Sequence, residues 1–92
     1  MPHSLFPLGR VLATPGALQA LGRNETEPAL LLGRHQSGDW GDLDAKDRAE
    51  NVRSVEYGFR VLSAYTLPDG TRLWVITEAD RSSTCILLPE EY

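Results

Sequence analysis

FRVLSAYTLPDGTRLWVIT, residues 59 to 77, decides the fold. Phe59–Leu67 is β-branched and aromatic enough for a strand. Pro68-Asp69-Gly70 follows as a turn, with Pro68 where a fixed φ is wanted and Gly70 where a positive φ costs little. Thr71–Thr77 is the returning strand, so the stretch predicts a β-hairpin. Further on, Asp80-Arg81-Ser82 makes a second turn, and SSTCILL, residues 82–88, is a third strand stopped by Pro89.

Upstream of Phe59 the apolar period changes from two to that of a helix. Ala45, Ala49, Val52 and Val55 recur at helical spacing, with charges on the other side. Asp44 with Asp47 has the spacing of a capping box, and Gly58 supplies the stop. Thr14-Pro15 reads as the entrance of an earlier helix over Ala17–Leu21 that ends at Gly22. A short helix from Thr26, with Ala29–Leu32 as its buried face, ends near Gly33 or, more readily, at Gly38. LGRVLA, residues 8–13, is apolar enough for a strand or an ordered arm. The order predicts one α+β domain over residues 1–92: two or three short helices, then a three-stranded, or four-stranded, antiparallel β-meander.

Composition removes several function classes. Ninety-two residues with 41% hydrophobic and 24% charged side chains build one modest core, with no room for a large cofactor. Association with a partner protein, or with a second copy as a homodimer, is an expected way to complete so small a domain. The net charge is −4, eight of the nine basic residues are arginine, and no basic tract is present. Nucleic-acid binding is therefore disfavoured, because a phosphate backbone is held by clustered positive charge. Neither a signal-peptide pattern nor an apolar run of membrane length occurs, which predicts a cytoplasmic protein without membrane partners. Glycine-rich phosphate loops are absent, and His3, His35 and Cys85 give no ligand pair at zinc spacing. No cofactor and no metal are expected. Cys85, alone and flanked by Thr84 and Ile86, reads as an inert thiol.

Two segments carry candidate chemistry. RHQSGDWGDLDAKDRAEN, residues 34–51, resembles a calcium loop from Asp39 to Glu50 only at its ends, since Gly41, Leu43 and Asp44 stand where ligands and the glycine belong. Helix stops and caps account for Gly38, Asp44 and Asp47, with Trp40 dropping into the core or plugging the sheet edge. Asp39 and Asp42 are left over, flanking Trp40 in a glycine-punctuated loop. As a functional reading these three form a protein-binding patch; as a structural one, Asp39 meets an arginine. The other segment is ITEADRSSTCILLPEEY, residues 76–92. There Glu78, Arg81 and Thr84 could combine with His35 in metal-independent acid–base chemistry, while turn formation alone accounts for Asp80 and Ser82 and leaves Arg81 solvated.

GRVLATPGAL, RHQSGDWGDLD and RVLSAYTLPDGTRLWVITEADRSSTCILLPEEY together resemble a set of small uncharacterised bacterial proteins associated with plasmids and other mobile elements. Members carry labels such as plasmid-related protein or type I restriction endonuclease subunit M. The second label does not describe this chain, which has neither a glycine-rich cofactor loop nor an NPPY-type motif. The resemblance implies a small non-enzymatic accessory that binds a host or plasmid protein, such as a defence component. The helices-then-meander order is also similar to RelE-like and barnase-like ribonucleases. It supplies the alternative of a toxin-type endoribonuclease using His35, Glu78, Arg81 and Thr84.

Overall fold

In the computed structural model, which describes residues 4–92, the hairpin forms as the sequence predicts. Strands β2 (Val61–Thr66) and β3 (Arg72–Thr77) are antiparallel, with Val61 opposite Thr77 and Thr66 opposite Arg72. The Leu67 N–H donates to the Thr71 carbonyl across the turn at 2.8 Å, and Gly70 takes φ 89°. Strand β4 (Ser83–Leu87) returns antiparallel along β3.

The sheet departs from the expected antiparallel meander. LGRVLA contributes strand β1 (Arg10–Ala13), which pairs parallel to β4 with Arg10 opposite Ser83 and Ala13 opposite Ile86. The result is a mixed four-stranded sheet in the order β1-β4-β3-β2, and the fold is α+β. Local turn chemistry cannot announce this pairing, because its two strands stand at opposite ends of the chain. One residue enables it: Gly9 has φ 65°, and a Cβ there would meet the Arg81 and Ser82 carbonyl oxygens at 2.4 Å.

Three helices connect β1 to β2. Helix α1 (Pro15–Arg23) is capped by Thr14, whose hydroxyl accepts from the Ala17 N–H at 3.2 Å. It runs past Gly22 to Asn24, whose side-chain amide donates to the Ala20 carbonyl. Helix α2 (Pro28–Ser37) ends where Gly38 turns left-handed. Of its expected buried face only Leu31 is fully buried, followed one turn later by His35, whereas Ala29 and Leu30 face outward. Helix α3 (Ala45–Tyr57) has the predicted Asp44 cap, with the Asp47 N–H donating to its carboxylate, and the predicted Gly58 stop.

The buried face of α3 is the apolar one only at Val55, which packs on Phe6, Trp40 and Val61. Ala45 and Ala49 are exposed and Val52 is 57% exposed, while Asn51 and Ser54 are buried. The reason is a polar clamp: the Asn51 amide donates to the Leu62 carbonyl at 2.6 Å and its oxygen accepts from the Leu62 N–H at 3.2 Å. Two such bonds at a strand edge outweigh the small area that an alanine face can bury.

Helices α1 and α2 pack on one face of the sheet, and α3 runs along its β2 edge with Val55 turned to the same side. On that face Val61, Tyr65, Leu73, Val75 and Ile86 join Ala17, Ala20, Leu21 and Leu31 in the core. Phe6, Trp40 and Val61 form a second cluster beneath residues 4–8. No helix covers the opposite face, where strand alternation places Leu62, Trp74, Ile76, Cys85 and Leu87.

Candidate functional site

His35 is the one imidazole among the described residues; His3 lies outside them. Its ring is fully buried, with Nδ1 2.5 Å from the Ser63 hydroxyl and Nε2 2.9 Å from that of Thr77. Thr77 is 2.7 Å from the Thr84 hydroxyl, which donates to the Leu8 carbonyl at 2.8 Å. A carbonyl only accepts, so it orders the whole chain of donors. Thr84 donates to Leu8, Thr77 to Thr84, His35 Nε2–H to Thr77, and Ser63 to His35 Nδ1. This is a neutral imidazole in one tautomer, and burial, aided by the positive charge of Arg81, lowers its pKa from 6.5 to about 4.

Phe6 closes the network from outside. Its ring meets the imidazole edge-on, centroids 5.2 Å apart, and the Arg81 guanidinium lies over it, 5.4 Å from the ring centroid. Residues 4–8 are tied down on both sides of it, by the Leu5 N–H to the Gln36 carbonyl and by the Gln36 amide to the Phe6 carbonyl. Thus the structure does bring His35 and Thr84 together and places Arg81 nearby. It gives the imidazole no free nitrogen and no opening to solvent.

Arg81 is not a solvated turn residue. Its φ is 61°, a left-handed conformation that disfavours arginine, and the guanidinium donates to the carbonyls of Phe59, Glu78 and Ser54 at 2.6, 3.2 and 2.7 Å. It ties the turn after β3 to the end of α3. Glu78 is directed elsewhere, with its carboxylate 3.6 Å from the Arg60 guanidinium. Of the four ribonuclease candidates, two are core hydroxyl and imidazole groups, one clamps backbone, and one forms a surface ion pair.

The Asp39-Trp40-Asp42 loop separates in the same way. Trp40 is 7% exposed, packed with Phe6 and Val61, and its buried indole N–H has no acceptor. Its ring is core and not a recognition surface. Asp39 makes two hydrogen bonds with Arg34, at 2.7 and 3.2 Å, that hold its carboxyl below the usual range. Asp42 accepts from the Thr66 hydroxyl at 2.6 Å. The backbone around them covers the free edge of β2: the Asp42 N–H donates to the Ala64 carbonyl, and the Ala64 N–H to that of Trp40. Gly41 sits so close that a Cβ would lie 2.0 Å from the Ala64 oxygen. Both Asp39 and Asp42 keep exposed carboxylates, and through Thr66 the latter rims the uncovered sheet face.

The sheet face opposite α1 and α2 carries a feature that no chemistry-bearing motif of the sequence marks. A groove of about 250 Å³ runs across it, lined by Arg60, Leu62, Trp74, Ile76 and Tyr92. Tyr92 closes one end, with its ring against Trp74 at 5.7 Å and its hydroxyl accepting from Arg60 at 2.8 Å. The signal was present in the hairpin, since LSAYT and RLWVIT place apolar residues on both faces of the sheet. Cys85 shares the face, and burial pushes its thiol pKa up. Among the described residues no three His, Cys, Asp or Glu side chains are placed to hold a metal ion, and no helix is long and apolar enough to cross a membrane. The chain matches no family model, and neither a curated protein nor a solved structure is significantly similar to it.

Proposed function

We propose that the protein is a small non-enzymatic accessory that binds a partner protein through the open face of its sheet. The observation that carries this reading is the apolar groove lined by Leu62, Trp74, Ile76 and Tyr92, with the Arg60 guanidinium at its rim. An aliphatic or aromatic anchor from the partner fills such a groove, and the polar rim sets its register. Asp42 contributes a charge at the Thr66 end of that face, while Asp39 is engaged by Arg34 of α2. Trp40 contributes by holding their loop in place. The resemblance to mobile-element proteins points to a host or plasmid protein, such as a defence component, as the partner.

Affinity capture from the source cells, compared quantitatively between variants, tests the reading. Leu62→Lys with Trp74→Ala removes the captured partner, while Asp39→Ala with Asp42→Ala weakens its binding by about tenfold or less. If the open-face variant folds and retains the same partner, the groove is not the binding surface.

A further inference from the structure

We propose that strand β1 is the interface of a two-fold dimer, in which a second copy of this chain extends the sheet from four strands to eight. The inference goes beyond the partner surface above and does not depend on it. The two edges of the sheet are treated differently. On β2, the Asn51 amide occupies the backbone of Leu62, and the Trp40–Asp42 backbone occupies that of Ala64. Among the described residues nothing occupies the outer edge of β1.

Hydrogen-bond alternation identifies what that edge offers. The N–H groups of Arg10 and Thr14 donate inward, to the Ser82 and Ile86 carbonyls at 3.0 Å. Val11 and Ala13 therefore turn both their N–H and their C=O groups outward. Val11 is 48% and Leu12 44% exposed, and an uncovered apolar edge of this kind is a template for another strand.

Antiparallel self-pairing is the arrangement that uses all four groups. Val11 exchanges both bonds with Ala13 of the second copy, Ala13 does the same with its Val11, and Leu12 meets its own counterpart on the axis. In this register Arg10 falls opposite Thr14 of the other copy, whose hydroxyl is held by the Glu91 carboxylate. Arg10 has no acidic partner within its own chain among the described residues, and Glu91 has no basic one. The dimer therefore completes two identical Arg10–Glu91 pairs, whereas a parallel or shifted register completes neither. It also joins the two open faces through Leu12. Four residues per copy bury less than the roughly 1,000 Å² of a stable interface, so the dimer dissociates on dilution.

Sedimentation equilibrium of the whole chain, from micromolar to millimolar concentration, tests the proposal. The expected mass rises from 10.2 kDa to twice that value. Arg10→Glu and Glu91→Arg each weaken association about tenfold or more. An equimolar mixture of the two associates as well as the unaltered chain, because each contact then joins opposite charges. If Glu91→Arg disturbs folding through its Leu88 and Thr14 contacts, Leu12→Lys, which sets two ammonium groups face to face on the axis, takes its place and prevents association. A chain that stays monomeric at millimolar concentration, a mixture no better than its components, or a dimer indifferent to Leu12→Lys overturns the proposal.

Discussion

The imidazole of His35 shows how a residue with catalytic credentials becomes structural. Both nitrogens are engaged, the tautomer is set by the Leu8 carbonyl three hydrogen bonds away, and the ring is sealed by Phe6. Its cost appears with pH. Between the unfolded value of 6.5 and the folded value of about 4, the unfolded chain binds a proton at His35 that the folded chain refuses. Stability therefore falls as pH is lowered through this window, by up to about 3 kcal/mol. The carboxylates held down by partners, Asp39, Asp69, Asp80 and Glu91, begin to lose their contribution as pH falls through their unfolded values of 3.8 to 4.5, at the bottom of that window and below it, and they do so equally in His35→Gln. Urea denaturation at pH 7 and pH 4.5 should show most of this loss in the native chain and little of it in His35→Gln; equal slopes would mean that the imidazole is open to protons in the fold. The sequence displayed His35 but not its burial, since one imidazole four residues after Leu31 fits either an exposed or a buried helix position. Trp40 carried two readings, a ring dropped into the core and part of a surface patch, and the core took the ring.

At the scale of elements, the hairpin, its Pro68–Gly70 turn, the caps of α1 and α3 and the Gly38 stop were all legible, because each rests on a preference that acts within a few residues. What holds one element to the next was not. Of the valines and alanines by which α3 was expected to dock, only Val55 reaches the core, and the helix is otherwise held by Asn51, Ser54 and the arginine of a distant turn. Arg81 offsets its left-handed backbone with three carbonyl contacts that no shorter side chain can make. Arg81→Ala should therefore cost about 2–3 kcal/mol in urea denaturation, as loss of charge-assisted hydrogen bonds does. Near-native stability would show that water replaces the guanidinium without penalty.

Across the whole molecule, a helical layer on one side leaves an apolar sheet face and an uncovered strand edge on the other, next to Arg10 and Glu91. These surfaces favour the binding reading over the ribonuclease one, as does the net charge of −4 in a chain with one lysine. Expression in bacteria should then neither arrest growth nor cleave RNA, and His35→Ala should change only stability. Arrest that His35→Ala and Arg81→Ala each relieve, with folding retained, would restore the nuclease alternative.

By itself the sequence determined an α+β chain, the hairpin, the helix caps and the absence of a basic tract, because propensity, capping and net charge depend on residue type and short spacing. Tertiary structure alone decided that β1 joins β4 in parallel, that His35 is interior while Trp74 and Leu62 line a groove, and that among the described residues one edge is covered and the other is not. Each of these depends on which distant segment approaches, and burial and hydrogen-bond satisfaction settle that only when the whole chain is packed at once.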